Sequence, residues 1–321
     1  MTLLVWVAFL ALFIGVLAFD LAVLHRESRE MAVPQALGWT AVWITLAMSF
    51  AGAVYGLYEY QWLGWQPLDP MSGLDAAIAY INGYILEWSL SVDNIFVIAV
   101  IFTYMKIPPR FQYRVLFWGI VGAIVLRGMM IGMGAALIAA FDWMFYVFGG
   151  ILLISAARML KSEEEEYDPG KSPLVRFARR VYPVTEALDG DRFFTRVNGA
   201  RAATPLFVCL LLVDFADVVF AVDSIPAIFS VTQEPFIVFT SNAFAILGLR
   251  ALYFAIAGLM IMFKYLKLSL VFILGFVGVK MVLHHHVHIS NFVSLGVIVS
   301  FLAIGILASV WVSRRERERS T

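Results

Sequence analysis

Glu87-Trp-Ser-Leu-Ser-Val-Asp93-Asn94-Ile95 is repeated in outline by Asp217-Val-Val-Phe-Ala-Val-Asp223-Ser224-Ile225. Each stretch has one acid six residues before an aspartate, which is followed by a small polar residue and an isoleucine. Both stretches lie within apolar runs, and an ionisable side chain at the centre of a bilayer costs about 2.5–3.5 kcal/mol on insertion scales. A repeated pair of such residues predicts a duplicated, carboxylate-lined cation site within a membrane.

The composition places the chain in the membrane class. Its 321 residues are 62% hydrophobic and only 14% charged, whereas soluble domains average about 25% charged residues. Windows of about 20 apolar residues predict nine transmembrane helices, near residues 3–24, 37–58, 77–104, 114–140, 143–160, 205–230, 236–262, 269–285 and 291–312. The expected fold is therefore an all-α, polytopic membrane protein, with the lipid bilayer as its surroundings.

The placement of basic residues predicts the orientation. Of the 23 Lys and Arg residues, four lie within spans and the others cluster at alternate connections and at the C-terminus. The remaining connections contain none, and they lie around Gln61–Asp75, Asp142, Gln233–Pro235 and His284–Ser290. By the positive-inside rule, the N-terminus is expected outside and the C-terminus inside.

Several function classes are disfavoured by the sequence. The formal net charge of zero leaves no electrostatic footprint for nucleic acid. Cys209 is the only cysteine, so a disulfide within the chain is impossible and a thiolate metal site is disfavoured. The sequence contains no Walker loop, dinucleotide fingerprint or nucleophile–base motif. We therefore expect neither an enzyme nor a permanently bound cofactor.

A unit of three helices is predicted to occur twice. Gly122-Ala-Ile-Val-Leu-Arg127 is echoed by Ala245-Ile-Leu-Gly-Leu-Arg250, and Arg158-Met159 by Lys280-Met281. Because the unit has an odd number of helices, its second copy is expected to be inverted in the membrane, a plan typical of secondary transporters. The expected organisation is two N-terminal spans in 1–76, a first repeat in 77–160, a cytoplasmic loop in 161–203, a second repeat in 204–288, and a final span with a basic tail in 289–321.

Helical geometry limits how the paired acids can act. Residues i and i+6 lie about 120° short of two full turns and about 9 Å apart along a helix. Glu87 and Asp93 therefore cannot chelate one ion from an unbroken helix, so either the helix opens or each acid meets an acid of the other repeat. Pro226 favours opening in the second unit, because its ring excludes a hydrogen bond to the carbonyl of Val222.

The available donors suit a hard divalent cation. Carboxylate, amide, hydroxyl and carbonyl oxygens are typical ligands of Mn²⁺, Mg²⁺ and Ca²⁺. The candidate metal ligands are Glu87, Asp93, Asn94, Asp214, Asp217, Asp223 and Ser224. The alternative is that the acids neutralise cations within the spans, and both roles can hold together. The candidate charge partners are Arg127, Arg158, Arg250 and Lys280.

Three other polar features have simpler interpretations. Asp20 is expected to cap or pair locally at the inner end of the first span. His284-His285-His286-Val-His288 could collect transition metals, although polar residues at a helix end are the simpler reading. In the 161–203 loop, the acidic run Glu163–Glu166 and the basic run Arg176–Arg180 favour a solvated linker, with gating or metal sensing as the alternative.

The segments Glu87–Asn94, Phe193–Gly199, Phe220–Ala227 and Thr240–Arg250 resemble the TerC family of membrane proteins, and within it the Alx type. The resemblance covers almost the whole chain and implies a relation to LysE-type exporters. For Alx-like members it implies Mn²⁺ efflux, while other members carry a tellurium-resistance label. Carried over by position, the ion-site acids would be Glu87, Asp93, Asp217 and Asp223.

The resulting expectation is a bacterial inner-membrane exporter of Mn²⁺, with the ion held between the two repeats. Proton influx is a candidate driving force, because protonating a carboxylate weakens a ligand of a divalent ion. A rival hypothesis is a membrane-embedded partner that supplies metal to secreted proteins or modulates a translocation complex. A third is a stress or redox modulator. The first rival requires other membrane or secretory proteins as partners. The redox modulator is disfavoured because the sequence has no cofactor motif and no cysteine pair.

Overall fold

A computed structural model describes residues 2–24, 33–161, 185, 188–197, 200–257, 266–287 and 289–320. The helices are α1 (Thr2–Leu24), α2 (Val33–Glu59), α3 (Gly73–Tyr104), α4 (Pro109–Ala140), α5 (Met144–Lys161), α6 (Pro205–Phe229), α7 (Pro235–Ala257), α8 (Leu266–Val282) and α9 (Asn291–Ser320). A 3₁₀ turn spans Trp62–Gly64, and a hairpin pairs β1 (Phe194–Val197) with β2 (Ala200–Ala203). The two charged runs of the 161–203 loop lie outside the described residues.

The prediction of a polytopic all-α fold is confirmed. Eight described helices are long and apolar enough to cross a membrane. The remaining one, α8, has 17 residues, which is the lower end of the range of about 17–25 residues for a spanning helix. Large apolar side chains point away from the bundle, such as Leu3, Met133 and Leu307, which are 75%, 62% and 68% exposed. Such surfaces suit lipid, and the chain is a multi-pass integral membrane protein.

The helices that carry the acids and arginines have well-defined starts. The hydroxyl of Ser72 accepts a hydrogen bond from the N–H of Asp75 at 3.1 Å and so caps α3. Proline opens both α4, at Pro109, and α6, at Pro205. Proline suits the first turn because the N–H that it lacks would have no partner within the helix there.

The predicted repeats pack against each other in a reciprocal way. Contacts are most extensive between α3 and α7, between α4 and α6, and between α5 and α8. The first helix of each predicted unit thus packs on the second helix of the other, and the two third helices pack together. The helix α7 lies deepest, with 94% of its apolar segment buried. This pattern suits two related units, while their inverted sense and the N-out orientation stay predictions.

The connection between α2 and α3 is fastened to the start of α7 by Glu234. One carboxylate oxygen, Oε2, accepts the backbone N–H groups of Leu68 at 2.8 Å and Asp69 at 3.1 Å. Glu234 is 2% exposed, and this burial raises the pKa of its carboxyl group, although the backbone hydrogen bonds act in the opposite direction.

Replacing Glu234 by glutamine is expected to stabilise the protein at high pH. A carboxyl group whose pKa is higher in the folded state holds its proton more tightly there, so its contribution to stability falls as pH rises from the unfolded pKa to the folded pKa. Glutamine keeps an acceptor oxygen and does not ionise. We expect Glu234→Gln to melt above wild type by about 2 °C or more at pH 8, with a smaller difference at pH 5.

Melting of the purified protein between pH 5 and 9 tests this expectation. The control is Glu234→Ala, which leaves two backbone N–H groups without their acceptor, at about 1–3 kcal/mol each. This variant is expected to melt below wild type at every pH. A glutamine variant that melts below wild type by a constant amount across the range would contradict the role given to burial.

Candidate functional site

The guanidinium of Arg127 lies at the centre of a buried polar network. Arg127, on α4, pairs with Glu87 on α3 and donates to both carboxylate oxygens of Asp217 on α6, at 2.7 and 3.0 Å. It also donates to Ser224 Oγ at 3.2 Å and to Asn242 Oδ1, on α7, at 3.0 Å. We call these five residues the Arg127 network. It joins four helices and brings together an acid from each predicted repeat.

The Arg127 network is largely buried and is held by several hydrogen bonds. Arg127 is 1% exposed and Glu87 is 2% exposed. The two parallel hydrogen bonds to Asp217 use the planar fork of the guanidinium, which matches the geometry of a carboxylate. Two carboxylates from different helices thus converge on one buried cation, while their formal charges exceed that of the arginine by one.

The sequence did not single out Asn242 as part of this group. The residue sits in the polar tripeptide Thr240-Ser241-Asn242, within a largely apolar helix. Asn242 is 1% exposed. Its Nδ2 donates to the carbonyl of Val238 at 3.1 Å, which fixes Oδ1 as the acceptor that faces Arg127. Three consecutive polar residues near the start of a predicted span were the signal that could have identified it.

The second intramembrane arginine, Arg250 on α7, pairs with Asp20 on α1. Both side chains are 3% exposed, and the guanidinium also lies 4.9 Å from the ring centre of Tyr113. The expectation that Asp20 pairs locally was therefore wrong, because its partner is 230 positions away along the chain. Arg250 does not pair with any of the four predicted ion-site acids in the described part of the chain.

A small cavity lies beside Arg250 and borders Asp217 of the Arg127 network. It has a volume of about 20 Å³ and is lined by Asn94, Asp217 and Arg250 together with apolar residues such as Ala123. We call it the Asn94 cavity. Within the described residues, Asn94 Oδ1 and Arg250 Nη1 are buried without a hydrogen-bond partner. The volume is enough for about one water molecule.

The remaining paired acids, Asp93 and Asp223, lie apart from the Arg127 network. Asp223 accepts a hydrogen bond from the hydroxyl of Ser155, on α5, at 2.6 Å and interacts electrostatically with Arg158. Asp93 interacts electrostatically with Lys267, at the start of α8. Each of the two aspartates therefore faces the third helix of the other predicted unit. Ser155 carried no signal in the sequence, because single serines are common in apolar helices.

The helices remain continuous between the paired acids. Glu87 and Asp93 both lie on the unbroken α3 and have different partners, as their angular separation requires. The opening expected at Pro226 is not observed, since α6 continues to Phe229. Hydrogen bonding resumes beyond the proline, where the N–H of Ser230 bonds to the carbonyl of Pro226 at 3.2 Å.

Asp214 borders the Arg127 network without joining it. Its carboxylate packs against α4 where that helix has no side chain, because a Cβ at Gly122 would lie 2.9 Å from Asp214 Oδ1. That oxygen is buried and has no hydrogen-bond partner among the described residues. The absence of a side chain at Gly122 explains how this carboxylate fits between two helices.

Lys280 belongs to a different region of the bundle. It donates to Ser294 Oγ, on α9, at 2.8 Å, and no acid within the described residues forms a salt bridge with it. It lines an open cavity of about 560 Å³ together with Asp69, Asp75 and His284. His284 stacks on Phe145 with a distance of 4.3 Å between ring centres, and His288 lies outside the described residues.

The candidate ligands do not form one cluster in this conformation. Across the described parts of the chain, no three His, Cys, Asp or Glu side chains are close enough to hold a metal ion. The acids instead form an arginine-bridged pair, Glu87 with Asp217, and separate positions at Asp93, Asp214 and Asp223. In chemical terms, the centre of the bundle holds a cation between two carboxylates, and that cation is a side chain.

The fold and the buried network define a multi-pass membrane protein with charged groups at the core of its helical bundle. The model of the Integral membrane protein TerC family matches residues 72–317. The chain therefore belongs to the TerC family.

Several curated proteins are similar over nearly the full length. The chain is 47% identical to "Uncharacterized membrane protein STKORF319" of Myxococcus xanthus over 96% of this chain and 92% of that protein. It is 44% identical to "Putative membrane-bound redox modulator Alx" of Escherichia coli (strain K12), over 98% and 97% of the two chains. The protein of the same description from Salmonella typhi is 42% identical, over 98% and 97%. No solved structure matches the chain.

Proposed function

We propose that the chain exports a hard divalent cation, Mn²⁺, across the bacterial inner membrane. The observation that carries the proposal is the convergence of Glu87 and Asp217, from different helices, on the buried guanidinium of Arg127. Buried charges in a membrane bundle are costly and commonly mark the path of an ion. One acid would suffice to neutralise the single charge of Arg127, so the second acid needs a further explanation.

In this proposal, Arg127 occupies the place of the transported ion. An arginine side chain brings one positive charge to the two carboxylates, whereas Mn²⁺ brings two and so neutralises both. Oxygens of Asn242 and Ser224 lie within hydrogen-bond distance of Arg127 and are ligands of the kind that Mn²⁺ accepts. Displacement of the guanidinium by Mn²⁺, and its return after release, would let the carboxylates stay neutralised throughout a cycle.

The outer acids have a supporting role in the proposal. Asp93 and Asp223 lie one to two helical turns from the acids of the Arg127 network on the same helices. Asp93 and Asp223 would receive or release the ion on the two sides of the Arg127 network. Protonation of these carboxylates by an inward proton gradient would weaken their hold on Mn²⁺ and favour release.

A second candidate function, modulation of redox state, comes from the names of relatives. The similar proteins of Escherichia coli and Salmonella typhi are each described as a "Putative membrane-bound redox modulator Alx". Cys209 is the only cysteine and is buried in α6. A redox effect of this chain would therefore act through another partner or through the supply of metal, not through a disulfide within the chain. Stable co-purification with secretory proteins would favour that alternative.

The metal content of cells tests the proposal. Cells that express wild type are expected to hold less Mn²⁺ under manganese load than cells that express Asp93→Asn/Asp223→Asn, because each change removes a charged ligand. The matched control is Asp189→Asn/Asp191→Asn, which alters two aspartates of the loop before α6. If the double mutant at positions 93 and 223 lowers cellular Mn²⁺ as well as wild type does, Asp93 and Asp223 are not ligands of the transported ion.

A further inference from the structure

We propose that Arg250 has a second binding position in the Asn94 cavity, where it exchanges Asp20 for Asn94 and Asp217. This inference rests on the proposed transport function, because it assigns the exchange to the release of Arg127 from Asp217 during the transport cycle. In the present conformation Arg127 holds Asp217, and Arg250 is held by Asp20. In the second conformation Arg250 holds Asp217, and Arg127 is released from it.

The first argument is a donor and an acceptor that complement each other. Arg250 Nη1 and Asn94 Oδ1 are both buried without a hydrogen-bond partner in the described part of the chain. Their side chains are each 3% exposed and line the same cavity. A buried polar atom without a partner is costly, so two such atoms in residues that line one cavity need an explanation. A movement of Arg250 into the cavity would satisfy both.

The second argument is the correspondence between the predicted repeats. Matched positions are Glu87 with Asp217, Asn94 with Ser224, and Arg127 with Arg250. Arg127 bonds to Glu87 and to Ser224 in the present conformation. The corresponding partners of Arg250 are Asp217 and Asn94. These are the two polar residues that line the cavity beside it.

The exchange requires the helices to move. The Asn94 cavity has a volume of about 20 Å³, which accommodates about one water molecule and not a guanidinium group. Entry of Arg250 therefore separates α4 from α6 and α7. Ala123, on α4, lines this cavity and is 4% exposed now, so the movement would open it to solvent. The position of Arg250 is thereby coupled to the release of Arg127 from Asp217.

Reactivity of a cysteine at position 123 tests the exchange. The probe is a small, water-soluble methanethiosulfonate, applied to purified full-length Ala123→Cys/Cys209→Ala protein in detergent. Adding Asp20→Asn removes the present partner of Arg250 and is expected to raise the labelling rate at least tenfold. Adding Asn94→Leu to that variant removes the acceptor in the cavity and is expected to return the rate to the parent value.

Two further variants separate the exchange from general loosening. Leu152→Cys, on α5, replaces a fully buried side chain and is expected to label equally slowly with and without the Asp20→Asn change. Asn94→Asp, with Asp20 intact, is expected to raise labelling at position 123 by attracting Arg250. Any of three results would overturn the inference. The labelling rate at position 123 does not rise in either variant, or Asn94→Leu leaves its rise unchanged, or the labelling rate at position 152 rises equally.

The labelling needs no metal ion, so its outcome is independent of whether Mn²⁺ is the substrate. Slow labelling in every variant together with Mn²⁺ flux would reject the exchange and keep the transport function. The expected labelling pattern without any Mn²⁺ flux would reject the proposed substrate and keep the exchange.

Discussion

Replacing Arg127 by glutamine is expected to destabilise the protein more than any other single change considered. The variant leaves Glu87 and Asp217 buried without their shared cation. Removal of one partner from a buried ion pair typically costs about 3–5 kcal/mol, against a total stability of about 5–15 kcal/mol for many folded proteins. We therefore expect most of the variant to be lost to aggregation when membranes are solubilised and warmed.

The amount of monodisperse protein after heating, measured by size-exclusion chromatography, checks this expectation. The matched control is Arg158→Gln, because Arg158 is exposed and exposed ion pairs contribute about 0–1 kcal/mol. Arg127→Gln/Glu87→Gln restores the formal charge of the wild-type group and is expected to recover part of the loss. Equal behaviour of the variants at positions 127 and 158 would contradict the central place given to Arg127.

Removing both acids of the Arg127 network is expected to abolish transport. Glu87→Gln/Asp217→Asn keeps the shape of both side chains but removes the two charges on which a divalent ion would depend. Loss of a group that only supports a metal ligand commonly lowers metal affinity or activity by about 10–100-fold. Loss of two charged ligands is therefore expected to lower the Mn²⁺ flux by at least about a hundredfold.

The double variant leaves Arg127 without an acid, so a loss of transport in it does not by itself separate missing ligands from poor folding. The triple variant Glu87→Gln/Asp217→Asn/Arg127→Gln avoids the unpaired charge, and we expect it to remain folded and inactive. Asp189→Asn/Asp191→Asn serves again as the control and is expected to transport at the wild-type rate. Wild-type flux through the folded triple variant would show that these acids do not bind the ion.

The helical fold could be predicted from the sequence because each span has to satisfy its own backbone hydrogen bonds in lipid. Long apolar runs therefore identified the helices, including the short α8. The hairpin of β1 and β2 was not predicted, since its residues lie in a charged loop without strong alternation of apolar residues. The ring of Phe194 on β1 lies 4.5 Å from that of Phe207 on α6, a contact that no local pattern encodes.

The candidate site could be predicted only in part. Rare charges within apolar spans pointed to Glu87, Asp217 and Arg127, because such residues need a compensating partner. Which partner each one takes depends on how the helices pack. The pairing of Arg250 with Asp20 joins α7 to α1. The position of Asp20 at the inner end of the first span did not indicate this distant partner.

The most direct test of the account is Mn²⁺ flux across liposomes that contain only this purified chain. A fluorescent indicator for Mn²⁺ inside the vesicles would report entry after external addition of the ion, with protein-free vesicles as the baseline. We expect wild type to carry Mn²⁺ well above that baseline and the folded triple variant to remain at it. No flux through properly folded wild type, with and without a proton gradient, would contradict the account and favour a protein that acts through a partner.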